Sequence, residues 1–180
     1  MQYVIVDLEA TCWEKGTSPD RMETIEIGAV FLESASGPAS REFARFIKPV
    51  VEPNLSEFCQ QLTTIQQEQV NSADYFWNVF PQFVEWIGPE PFILSSWGVY
   101  DLNQFRRDCE RHKMQLPESF QRHINLKQDF AQILDVKKCG MSTALELLNL
   151  SLEGTHHRGT DDARNIARIA QVILPKLGLK

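Results

Sequence analysis

The 180-residue sequence has no apolar run approaching about 18 residues, so it offers no candidate transmembrane helix. Its first residues run directly into a short strand pattern, without the charged, apolar and small-residue order of a secretory signal, and none is expected. It has no CxxC pair. Cys12, Cys59, Cys109 and Cys139 lie far apart, which favours reduced thiols in a cytoplasmic protein over a disulfide framework. Cys109 and His112 fall three apart on an expected helix, too few donors for a zinc site. Repeats, low-complexity tracts and linkers are also missing, so residues 1–180 are expected to form one domain. So is an excess of positive charge: the formal net charge is −6, which argues against a protein that coats duplex nucleic acid. What is present is apolar bulk. With 43% hydrophobic residues, eleven Phe and four Trp, the chain can bury one good core.

The apolar pattern alternates between periods of two and of about 3.6 residues. Tyr3–Leu8 is a short β-branched run suited to a central strand, and Glu23–Leu32 and Arg41–Ile47 read as two more, joined by a Ser34–Ser40 hairpin loop. Residues 49–72 are irregular, with room for two short helical turns. Phe76, Val79, Phe80, Phe83 and Ile87 recur at helical spacing. Pro91–Ser95 predicts a fourth strand, Asp101–Lys113 a helix, and His123–Leu126 a fifth strand. A helix capped by Ser142 should carry Leu145 and Leu148 inward, and a last helix should run from Asp161 to Leu174, ahead of Pro175. A meander of three strands followed by alternating helices and strands predicts an α/β fold, a mixed sheet covered by helices.

Against this background five residues stand out: Asp7 and Glu9 at the end of the first strand, Asp101 at a helix start, and His157 with Asp162 in HHRGTDDARN. A carboxylate at the end of an apolar strand is unfavourable unless something compensates its charge. Asp7 and Glu9, two apart on a strand, project to one face together with Ile5. Asp162 precedes Ile166, Ile169 and Ile173 on one helical stripe, whereas Asp161 aligns with Asn165, Arg168 and Val172 on a more polar face. Asp162 should therefore face the sheet, and Asp161 should be an ordinary first-turn acid favoured by the helix dipole. Taken singly, an Asp at a helix start is more often a cap than a ligand. Taken together, four converging carboxylates call for hard divalent cations, Mg²⁺ or Mn²⁺, and read as a two-metal phosphodiester hydrolase.

These motifs resemble those of the DEDD exonuclease superfamily, in its histidine-containing DEDDh branch. The first motif stands as Asp7-Leu8-Glu9-Ala10-Thr11, the second as Tyr100-Asp101, and the third as His157 to Asp162. The DLEATCW opening, Leu55-Ser56-Glu57-Phe58-Cys59, Ser96-Trp97-Gly98 and the run His157–Ala167 are similar to the Eri1-like subgroup, which trims RNA 3′ ends. The added nucleic-acid-binding domain of some relatives is not expected in these 180 residues, and the doubled His156-His157 creates a second H-x4-D reading, His156 to Asp161. The resemblance implies a ribonuclease-H-like, mixed five-stranded sheet with an antiparallel meander, flanked by helices. It implies two cations, Mg²⁺ or Mn²⁺, bridged by Asp7 and completed by Glu9, Asp101 and Asp162. In that scheme His157 takes the proton of the attacking water, while His156 and Asp161 matter little. The substrate is the 3′ end of single-stranded nucleic acid, RNA preferred, yielding nucleoside 5′-monophosphates. Ala10, Thr11, Phe58 and Tyr100 are the expected substrate contacts. Phe58 and Tyr100 could equally be core residues, and Thr11 could hydrogen-bond the backbone instead. A DNA proofreading or repair exonuclease, and a silent nucleic-acid-binding adaptor on the same fold, remain alternatives.

Overall fold

The computed structural model describes residues 1–15 and 18–178. The central strand β1 (Gln2–Ala10) pairs antiparallel with β2 (Thr24–Leu32), which pairs antiparallel with β3 (Ala39–Phe46). On its other edge β1 pairs in parallel with β4 (Phe92–Ser96), and β4 with β5 (His123–Asn125). The order is β3-β2-β1-β4-β5, the mixed five-stranded sheet with a meander at one side. A parallel neighbour demands a long crossover. Here it is supplied by α1 (Glu57–Thr63), α2 (Gln67–Asn71) and α3 (Phe76–Ile87).

Alternation along β1 divides the core in two. Val4, Val6 and Leu8 pack against Phe80 and Phe83 of α3 and Phe105 of α4 (Tyr100–Arg111). Tyr3 and Ile5 pack on the opposite face, beneath Phe130 of α5 (Leu126–Leu134), Leu145 of α6 (Met141–Leu147) and Ile166, Ile169 and Ile173 of α7 (Gly159–Ile173). Each such side chain contributes about 1.5–3 kcal/mol when fully buried. With both faces covered, all nine residues of β2 are buried, whereas the edge strand β3 is largely exposed and carries Arg41, Glu42 and Arg45. Among the described residues, no helix is long and apolar enough to cross a membrane.

Some local readings require correction. Ser142 does not cap α6; Gly140 does, its carbonyl accepting Ala144 N–H at 3.1 Å, and Ser142 lies inside the first turn. Leu126 opens a helix rather than closing β5, because Asn125 accepts Gln128 N–H at 3.1 Å and caps α5. The apolar pattern read as strand hides this helix, whose buried residues include Leu126 and Phe130, four apart. The last helix begins earlier than expected, at Gly159, and continues past Ile173 as a 3-10 turn that accommodates Pro175.

Candidate active site

β4 pairs with β1 only as far as Ile5, so the outgoing half of β1 has a free edge exactly where no strand remains to hold it in place. Asp101, in the first turn of α4 and 4% exposed, fills that position: its Oδ1 accepts Leu8 N–H at 2.9 Å. A helix-start carboxylate thus does a strand's work and stands beside Asp7 and Glu9.

Asp162 arrives from the other direction. Its helix can approach β1 and β2 closely because two glycines face one another. A Cβ on Gly28 would lie 1.9 Å from the Gly159 carbonyl carbon, and one on Gly159 would lie 3.0 Å from the Asp7 carbonyl oxygen. The buried Glu26 fastens this junction, accepting from Arg158 Nε and Nη2 at 3.2 Å each and from Gly159 N–H at 3.0 Å. In consequence Asp7, Glu9 and Asp162 each offer a carboxylate oxygen within 4.8 Å of the others. Asp101 lines the same cleft of about 300 Å³.

The two histidines divide the space above Asp162. His157 backbone N–H donates to Asp162 Oδ2 at 2.9 Å, from a residue whose φ of +63° lies in the left-handed region. A non-glycine residue held there carries strain on the order of 1 kcal/mol or more, a feature that clusters at functional sites. The His156 ring bonds the same carboxylate through Nδ1, at 2.9 and 3.1 Å, and stacks on the His157 ring with centroids 4.0 Å apart. Both rings line the cleft. His156, read from sequence as a bystander, is therefore part of the site. Asp161 turns away, accepting Thr155 N–H at 2.8 Å and pairing with Arg164.

Electrostatics identify what the site is built to hold. Withdrawal from water, then the charges of Asp101, Glu9 and Asp162, push Asp7 well above the usual carboxylate range. Burial, followed by Asp162 and Glu26, pushes Glu9 up to about 9. Asp101 is raised by burial to about 6, against the pull of Leu8 N–H. Burial and the adjacent His156 hold His157 below its ordinary value, so its imidazole is neutral near pH 7. Among the described residues, no side-chain or backbone donor reaches the carboxylates of Asp7 or Glu9. An all-oxygen donor set under mutual repulsion fits a hard divalent cation.

A family profile described as Exonuclease, of the RNase_T type, matches residues 4–170. The chain belongs to this exonuclease family. It is 31% identical over 175 residues to 3′-5′ exoribonuclease 1 of Rattus norvegicus, covering 92% of this chain and 51% of that protein. It is also 31% identical to 3′-5′ exonuclease Snipper of Drosophila melanogaster over 93% of this chain and 67% of that one. The chain therefore spans about half the length of the first of these relatives. Among solved structures, the nuclease domain of 3′hExo, described as a DEDDh family member bound to rAMP, superposes with a TM-score of 0.90 at 30% identity, covering 97% of this chain and 92% of that one. The cell-death related nuclease CRN-4 superposes with a TM-score of 0.88 at 26% identity, covering 98% of this chain and 64% of that one. The ribonuclease-H-like exonuclease fold is thus the fold of this chain.

In this member of the exonuclease family the expected substrate residues fall in different places. Tyr100 lines the cleft, 39% exposed, with the Arg107 guanidinium 5.8 Å from its ring centroid. Phe58 is 37% exposed on α1 and is not a core residue, although it lies outside the cleft itself. Ala10 is buried at the end of β1. Thr11 is 1% exposed and its Oγ1 accepts Glu23 N–H at 3.0 Å, so its hydroxyl is committed to joining the ends of β1 and β2. Trp97 contributes a wall of the cleft while its Nε1 donates to the Cys139 carbonyl at 3.1 Å. Met141 and Gly140, at the start of α6, complete that side and carried no sequence signal.

Proposed function

We propose that residues 1–180 act as one 3′-5′ exonuclease domain, removing nucleotides from the 3′ end of single-stranded RNA and releasing nucleoside 5′-monophosphates. The observation that carries this reading is the convergence of Asp7, Glu9 and Asp162 beside two stacked histidines in an open cleft. The similarity to a nuclease domain described with rAMP bound supports RNA as the substrate class. Asp7, Glu9, Asp101 and Asp162 would hold two divalent cations, Mg²⁺ or Mn²⁺. Such ions, when bound, activate a water and stabilise the entering and leaving oxygens of an in-line displacement.

The chain's own residues do the remainder. His157, neutral and partly exposed in the cleft, accepts the proton of the attacking water. Its backbone N–H and the His156 ring keep Asp162 aimed at Asp7 and Glu9. Tyr100 offers an aromatic face to the terminal base, a sequence-tolerant contribution of about 1–3 kcal/mol per stacked base. Phe58 serves the same purpose at the rim. The four free thiols support a reducing, cytoplasmic setting.

The test is digestion of 5′-labelled single-stranded RNA, single-stranded DNA and stem-loops with 3′ overhangs, with Mg²⁺, with Mn²⁺ and with EDTA. A ladder shortening from the 3′ end of RNA, abolished by EDTA, is the expected result. Internal cleavage, or activity that survives EDTA, would overturn the assignment, and a strong preference for DNA would overturn its substrate.

A further inference from the structure

Two thiols that are 47 residues apart in sequence meet in one small apolar cluster beyond the end of β1. Cys12 follows the end of β1, and Cys59 lies in the first turn of α1. Both pack in a small apolar cluster with Ile25, Leu55, Ile65 and Val70. The loop is held to the helix by Ser56, whose Oγ donates to the Cys12 carbonyl at 2.6 Å and accepts Cys59 N–H at 3.0 Å. Cys59 Sγ lies 3.7 Å from the Ala10 carbonyl oxygen, so the thiol sits against the end of β1, two residues before Cys12. Cys59 is fully buried, whereas Cys12 is half-buried and gives the pair a side open to a small oxidant. Cys109 and Cys139 sit in the two other clusters, apart from this pair and from each other.

We propose that Cys12 and Cys59 form a peroxide-reactive dithiol, which closes to a disulfide and thereby throttles the neighbouring substrate rim. The neighbouring Cys12 draws the Cys59 thiol below its ordinary value, against the opposing effect of burial, and so marks Cys59 as the sulfur that reacts first. In the first step the Cys59 sulfur attacks one peroxide oxygen and the O–O bond breaks. This leaves a sulfenic acid on Cys59, and the departing hydroxide takes the Cys12 proton to become water. The Cys12 thiolate then attacks the Cys59 sulfur; the S–S bond forms, the S–O bond breaks, and the hydroxide leaves as water on protonation. Two thiols and one hydrogen peroxide thus give one disulfide and two waters. Closing to an S–S distance of about 2.05 Å draws the loop and α1 together. Phe58 directly precedes Cys59 on α1, so the bond shifts the aromatic face proposed above for the RNA strand. This last clause rests on the exonuclease reading, whereas the bond itself does not.

The experiment treats the full chain with hydrogen peroxide, alkylates the remaining thiols under denaturing conditions, and maps the peptides without reduction. The expected map joins the Cys12 and Cys59 peptides with loss of two hydrogens, leaves Cys109 and Cys139 alkylated, and reverts with dithiothreitol. RNA trimming should fall several-fold in parallel through a raised KM and recover on reduction. Cys12→Ser and Cys59→Ala should trim as the parent does and ignore peroxide. Sulfinic acid on either residue without the cross-link overturns the dithiol, and it does so whether or not the chain trims RNA. A Cys12→Ser variant as peroxide-sensitive as the parent overturns the throttle.

Discussion

Asp108, Glu23 and Glu26 are buried as deeply as Glu9, yet their surroundings differ from those of Asp7 and Glu9. Asp108 accepts Thr24 Oγ1 at 2.6 Å, Thr24 N–H at 3.1 Å and Gln104 Nε2 at 3.0 Å, and pairs with Arg111. Glu23 receives three consecutive backbone N–H groups, from Val50, Val51 and Glu52, at 2.7–3.0 Å. Glu26 holds Arg158 and Gly159. Each of these carboxylates fastens two segments that are distant in sequence. Asp7 and Glu9 fasten nothing: they face other acids, and no donor among the described residues satisfies them. A fold able to supply so many donors a few ångströms away withholds them here. That contrast distinguishes a structural acid from one reserved for a cation.

Several substitutions would break or sharpen this contrast. The largest effect is expected from Asp7→Asn, which removes a ligand charge while nearly preserving shape. Trimming should fall by orders of magnitude, while the thermal midpoint in EDTA stays level or rises, because like-charge repulsion is relieved. A variant that unfolds would place Asp7 among the structural acids instead. Next, His157→Ala should cost about 10²–10⁴-fold in single-turnover rate with RNA binding retained, since it removes a proton acceptor and leaves the carboxylates in place. Loss of binding without loss of rate would contradict that role.

Asp108→Ala should act through stability alone. It strands Arg111, Thr24 and Gln104, at a cost of about 3 kcal/mol read from the urea midpoint, with trimming per folded molecule unchanged. A smaller set of changes comes from pH. Glu9 is raised to about 9 and Asp101 to about 6, so without cations the folded chain keeps protons that the unfolded chain has released. The resulting stability is full below the unfolded carboxylate values and is lost as pH rises through the folded ones. The thermal midpoint in EDTA should therefore decline between about pH 4 and pH 9, and saturating Mg²⁺ should remove the decline. A midpoint that is flat or rises in EDTA would sink the argument. The smallest effect is expected from His156→Ala, which deletes one hydrogen bond to Asp162 and should weaken Mn²⁺ dependence by roughly tenfold, about 1.5 kcal/mol. If its loss is as deep as that of His157→Ala, the proton acceptor is His156.

Period and spacing alone established much of this protein. The β-branched apolar run Tyr3–Leu8 carried the central strand, the two-residue step put Asp7 and Glu9 on one face, and the Ile166, Ile169 and Ile173 stripe turned Asp162 toward the sheet. These are consequences of local geometry, which a strand or helix imposes wherever it sits. The α5 cap at Asn125 is equally local, but a short apolar run such as His123–Leu126 is ambiguous between strand and helix. Other features depend on how the chain crosses itself. Asp101 on the Leu8 N–H, the Gly28 and Gly159 approach, Glu26 on Arg158, and Ser56 on the Cys12 carbonyl all join residues that no periodicity relates. The same holds for His156 and His157, adjacent in sequence and chemically identical. Only the left-handed backbone at His157 and the first turn of α7 send one ring and one N–H to the same carboxylate. Side-chain periodicity is a property of one element, whereas donors, charges and dehydration are properties of the neighbours that packing brings.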